Sequence, residues 1–134
     1  MNATEQFSIL VADDEPGIRD LLASWLGGRG HAVACADSGQ TATRMLEQQR
    51  FDLVITDVVM PDGDGFELIP AVRKAQPGAR ILVISGGGKY IPSNDCLSLA
   101  RGLGAHAALL KPFNWEQVRS GILQAMPAFD RPRP

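Results

Sequence analysis

The chain has 134 residues, 45% of them apolar and 21% charged, with a formal net charge of −2. That length suits one domain with a single full core. The charge balance excludes the strongly basic surface of a nucleic-acid binder and offers no attraction to an anionic membrane.

Phe7-Ser8-Ile9-Leu10-Val11-Ala12 reads as a first strand that runs straight into Asp13-Asp14-Glu15. Pro16 then suits the first turn of a helix, where its missing N–H is not needed. Ile18, Leu21, Leu22, Trp25 and Leu26 are spaced for one buried face of that helix, which Gly27-Gly28-Arg29-Gly30 stops. His31 to Ala36 is a second strand, and Ser38 is a plausible cap for a helix running to about Gln49, with Ala42, Met45 and Leu46 on its apolar side. Leu53-Val54-Ile55-Thr56 is a short buried strand that ends on Asp57, and the turn Met60-Pro61-Asp62-Gly63 follows.

A third helix carries Phe66, Leu68, Ile69 and Val72, with Pro70 in its pattern. Such a proline is awkward unless the helix starts near Gly65. Gln76-Pro77-Gly78 ends it, and Arg80 to Ser85 is a fourth strand. A loop of three glycines, Gly86 to Gly88, leads through Tyr90 to a short helix with Leu97, Leu99 and Ala100. Ala107 to Leu110 is the fifth strand, ending at Lys111-Pro112, and Asn114 with Gln117 forms a capping box for a last helix bearing Val118, Ile122, Leu123 and Met126. Residues 5–126 are therefore the expected domain, and residues 127–134 a disordered Pro/Arg tail. Five strands alternating with five helices imply an α/β fold, a doubly wound parallel sheet covered on both faces.

No apolar run approaches the ~20 residues that span a bilayer. Residues 1–6 lack the basic segment and apolar core of a secretory leader, so the expected location is the cytoplasm. Cys35 and Cys96 are too few for a disulfide framework and read as reduced, buried thiols. His31 and His106 read as structural residues at the surface or at strand edges. Trp25 reads as core, while Trp115 is either core or partner-facing.

Right-handed crossovers bring four strand ends to one edge of the sheet: Asp13 and Asp14, Asp57, Ser85, and Lys111. Three converging carboxylates repel one another unless a cation joins them, and an all-oxygen set of this kind suits Mg²⁺. Lys111 offers a point charge and Ser85 a hydroxyl to a phosphoryl group, and phosphoryl transfer needs little beyond positioning and charge neutralisation. Asp57 is the expected nucleophile.

Asp13-Asp14, Asp57, Met60-Pro61-Asp62-Gly63, Ser85 and Lys111-Pro112, in this order and strand context, resemble the receiver domain of two-component response regulators, and the likeness runs from about Ser8 to Met126. The resemblance implies a flavodoxin-like sheet with strand order 2-1-3-4-5. It also implies that Asp57 takes a phosphoryl group from a histidine of a sensor kinase or phosphotransfer protein. Asp14, Asp57 and the backbone carbonyl of Val59 would ligate Mg²⁺, with Asp13 acting through a bound water. Ser85 and Lys111 would close on the phosphoryl oxygens, and the Lys111–Pro112 bond would be cis. An effector would be met through the face of the fourth helix, fifth strand and fifth helix, by a monomer or weak dimer.

Two departures stand out. Ala108 occupies the position, three before the lysine, where the family often carries a switch aromatic, and the interval from Ser85 to Lys111 is longer than usual. The Gly86–Gly88 loop, with Tyr90, is the expected substitute switch.

Competing motifs fail. Gly88-Lys89 lacks the first glycine and the Ser/Thr of a phosphate loop, and Asp62-Gly63-Asp64-Gly65 lacks later calcium ligands. A haloacid dehalogenase type of hydrolase would carry an acid where Val59 stands, so slow turnover, a switch and not an enzyme, is expected. The reading is a stand-alone receiver; a fragment of a longer transcriptional regulator and a non-phosphorylated interaction module are the alternatives.

Overall fold

The computed structural model describes residues 6–58, 65–86 and 93–129, with the backbone alone at 65–66 and 93–97. Val59, the 60–63 turn, Gly87, Gly88, Tyr90, the side chain of Cys96 and residues 130–134 fall outside what it describes.

The elements alternate without exception: β1 (Ser8–Ala12), α1 (Pro16–Gly27), β2 (Ala32–Ala36), α2 (Gly39–Gln48), β3 (Leu53–Asp57), α3 (Gly65–Ala75), β4 (Arg80–Ser85), α4 (Ser93–Leu103), β5 (Ala107–Leu110) and α5 (Trp115–Ala125). All strand pairs are parallel and the order is β2-β1-β3-β4-β5, as the resemblance implied.

Strand alternation builds two cores. Leu10, Val54, Ile81 and Val83 face α2, α3 and α4, where Leu46, Ile69, Val72 and Ala100 meet them. Ile9, Val11, Leu53, Ile55, Leu82 and Ile84 face α1 and α5, against Leu22, Leu26, Val118 and Ile122. The central strand β3 is buried along its whole length, apolar from Leu53 to Ile55 and ending on the buried polar pair Thr56 and Asp57.

Local signals act as read. Pro16 opens α1, and Ser38 Oγ accepts the Thr41 N–H at the start of α2. Asn114 and Gln117 form the reciprocal box at α5. α3 starts at Gly65 with Pro70 inside it, exposed on the solvent side where one missing backbone donor costs least.

Three expectations need correction, and one, His31, resolves to its strand-edge alternative. Leu21 is exposed on α1 instead of joining its buried face, because Leu22 and Leu26 already fill the space over the sheet. Cys35 is an exposed free thiol, since β2 is an edge strand that its neighbours cover only in part, with Ala36 alone fully buried. His31 is structural but not on the surface: it is buried, its Nδ1 accepts the Phe7 N–H at 3.1 Å, and its ring stacks on Phe129. The ordered chain also runs past Met126. Pro127-Ala128-Phe129 form a turn that sets the Phe129 ring, 1% exposed, against His31 and Phe7. Trp115 belongs to the core margin, tilted against Trp25 with the Arg29 guanidinium 3.8 Å over its ring.

Candidate functional site

Sheet register assembles the site. Ala12 pairs with Thr56, so the next residue of each strand, Asp13 and Asp57, emerges side by side at the carboxyl edge. Asp57 pairs with Ile84, one step before Ser85, and Ser85 pairs with Leu110, one step before Lys111. The Lys111 N–H donates to the Ser85 carbonyl at 2.9 Å, which carries the ladder one residue beyond β5. The Lys111–Pro112 peptide is cis.

The Lys111 ammonium is the centre of the cluster. It donates to Asp57 Oδ2 at 2.8 Å and to Glu15 Oε1 at 3.0 Å. It also lies 3.0 Å from Asp13 Oδ2, an ion pair without the angles of a hydrogen bond. Asp13, Asp57 and Ser85 are 1%, 6% and 1% exposed, whereas Asp14 and Glu15 reach solvent. Asp13 Oδ1 accepts the Glu15 N–H at 2.9 Å, and its backbone carbonyl accepts from Arg19 at 2.7 Å. The Asp13 carboxylate is thus held rigidly while its other oxygen lacks a hydrogen-bond donor.

Burial raises the Asp13 pKa above the ordinary carboxylate value. The Glu15 N–H and the Lys111 ammonium oppose that shift, and the Asp57 charge adds to it. Burial works against the Lys111 ammonium, but its hydrogen bonds to Asp57 and Glu15 and its ion pair with Asp13 outweigh the cost and raise its pKa.

Asp13, Asp14, Glu15 and Asp57 each bring a carboxylate oxygen within 4.8 Å of the others. One ammonium does not neutralise four such groups, and a buried carboxylate oxygen without a donor is a ligand atom in waiting. The donor set is all oxygen and part solvent-facing, so it fits a hard divalent cation.

The structure brings together Asp13, Asp14, Asp57, Ser85 and Lys111, the predicted site residues within the described segments. Val59 falls outside those segments. Glu15 was missed as a site member. The signal was its place in the acidic run Asp13-Asp14-Glu15, but acids at a helix start are ordinarily explained by the dipole alone.

A twisted parallel sheet with acids and a lysine at its carboxyl edge defines a class: α/β proteins whose ligand chemistry sits outside the strand ends. The sequence profile of the response regulator receiver domain matches residues 9–123. The chain therefore belongs to the response regulator receiver family, the phosphorylation switches of two-component signalling.

It is 38% identical over 119 residues to the DNA-binding transcriptional regulator NtrC of Azospirillum brasilense, covering 89% of this chain and 24% of that protein. It is 28% identical over 119 residues to sporulation initiation phosphotransferase F of Bacillus subtilis (strain 168), covering 89% of this chain and 93% of the relative. Among solved structures, a response regulator from Burkholderia pseudomallei, crystallised with a phosphorylated aspartic acid, calcium ion and citrate, superposes with a TM-score of 0.78. It is 30% identical, over 90% of this chain and 68% of that one. The chain spans about a quarter of the length of the curated regulators it matches first. Among the described residues no helix is long and apolar enough to cross a membrane.

Proposed function

We propose that Asp57 is the phosphoryl acceptor, that its donor is a phosphohistidine of a sensor kinase or phosphotransfer protein, and that Mg²⁺ is the cation of the acidic cluster. The observation that carries this reading is the pairing of Asp57 Oδ2 with Lys111 at 2.8 Å beside an Asp13 oxygen that has no hydrogen-bond donor. Asp13, Asp14 and Asp57 would hold the ion, which when bound neutralises charge on the transferring phosphoryl oxygens.

Asp57 supplies the attacking oxygen from the end of a rigid buried strand. Lys111 leaves its carboxylate partners for a phosphoryl oxygen, and the Ser85 hydroxyl donates to another. No acid stands at Val59 to activate water, so the phosphorylated state would persist as a signal, and we read a switch instead of a turnover enzyme. Leu99, Leu103 and Leu110 are exposed on α4 and β5, which supports that face as the effector surface.

The test is intact mass after incubation with acetyl phosphate and Mg²⁺. One phosphate adduct is expected on the wild type and none on Asp57→Asn. An adduct that survives the substitution, or none on the wild type, overturns the proposal.

A further inference from the structure

Glu15 is the N-cap of α1, a position where a short Ser, Thr, Asp or Asn side chain would accept a hydrogen bond from the first turn. It makes no such bond. Its backbone is fixed instead by Asp13 Oδ1, and its carboxylate reaches across to Lys111 at 3.0 Å, ninety-six positions away along the chain. Lys111 is only 12% exposed, whereas the Glu15 side chain is 60% exposed. Glu15 is thus a movable, solvent-facing carboxylate placed on the one ammonium that the phosphoryl group needs.

Resting on the reading of Asp57 as acceptor, we propose that Glu15 is a positioning residue for phosphoryl transfer, competing with the phosphoryl oxygens for Lys111 and so restraining phosphorylation by small anionic donors. With acetyl phosphate, the bond from phosphorus to the acetate oxygen breaks as the bond to an Asp57 Oδ forms, and acetate leaves with the electron pair. During that exchange Lys111 must turn from carboxylates to the phosphoryl oxygens. Asp13 and Asp57 are fixed at strand ends and can share the ammonium with an incoming group. Glu15 holds it from the solvent side, where the donor must enter, and adds a negative charge there.

Two variants separate the contact from the charge. Glu15→Gln removes the charge at nearly constant shape. Glu15→Asp keeps the charge but withdraws it by one methylene, out of reach of Lys111. Phosphorylation rates with acetyl phosphate and Mg²⁺ are expected to rise several-fold in both, with the wild-type deficit shrinking as salt screens the site. Rates unchanged in both, or lowered, overturn the proposal. A rise in Glu15→Gln alone also overturns it, since charge would then act without the contact.

A second readout needs neither metal nor phosphate. The ¹⁵N resonance of the Lys111 ammonium in the metal-free protein is expected to move in both variants, and a resonance that stays in place overturns the contact. Failure of the wild type to form any adduct counts against Asp57 as acceptor, while the resonance still reports on Glu15.

Discussion

Asp13 is held under electrostatic tension. Its carboxylate is buried, one oxygen is committed to the Glu15 N–H, and the other meets only an off-axis ammonium. Its folded-state pKa is raised, so the folded protein binds the Asp13 proton more tightly than the unfolded chain. The Asp13 contribution to metal-free stability therefore falls as pH rises through the carboxylate range, and levels off above the folded-state value. Asp13→Asn removes that slope while its amide oxygen can still accept from Glu15. The variant is expected to be more stable than the metal-free wild type at neutral pH by on the order of 1 kcal/mol, the scale of one unsatisfied buried polar atom. The gap should close on acidification, as read by urea midpoints at several pH values. A variant less stable than wild type at neutral pH would show that the Lys111 pairing outweighs burial. Functional residues held against stability in this way are common at sites that must bind a charged ligand.

At the scale of elements, the sequence was most legible where the pattern is local and long. β3 reads from its β-branched run, α5 from Asn114 and Gln117, and α2 from Ser38. Asp57 and Lys111 were legible because each ends such a strand. Glu15 was not, because what makes it a site residue is the register of β5, far along the chain. Phe129 was hidden for a similar reason. It follows Pro127, in a segment too short to show any period, and its partners His31 and Phe7 flank other elements. That buried ring makes the segment after α5 part of the fold. Phe129→Ala is expected to cost about 3 kcal/mol, the lower end for emptying a buried aromatic site. Truncation after Met126 should cost at least as much, both measured by urea unfolding. A change under about 0.5 kcal/mol, the scale of a surface substitution, would mean the ring is not part of the cooperative unit.

For the whole molecule, the sheet separates two jobs that meet at its carboxyl edge. The acids arrive on β1 and β3, from the middle of the sheet, while Ser85 and Lys111 arrive on β4 and β5 at one side. Cation binding should therefore depend on the acid half, while phosphoryl capture adds Ser85 and Lys111 from the other half to the acceptor Asp57. A ligand that binds only the folded state stabilises it by RT ln(1 + [L]/Kd), about 2.7 kcal/mol at a hundredfold excess over Kd. The wild type is expected to gain that much from Mg²⁺ at such an excess, measured as a shift of the urea midpoint. Ser85→Ala should gain the same, because Ser85 is not among the carboxylates of the cluster, yet its acetyl phosphate adduct should decay at a different rate from the wild type's. Asp13→Asn should gain little, since it removes the buried carboxylate that lacks a donor. If Mg²⁺ stabilised Asp13→Asn as much as wild type, the ion would be bound elsewhere and the division between the two halves of the sheet would fail. If Ser85→Ala lost the gain, the two halves would be one site that cannot be taken apart.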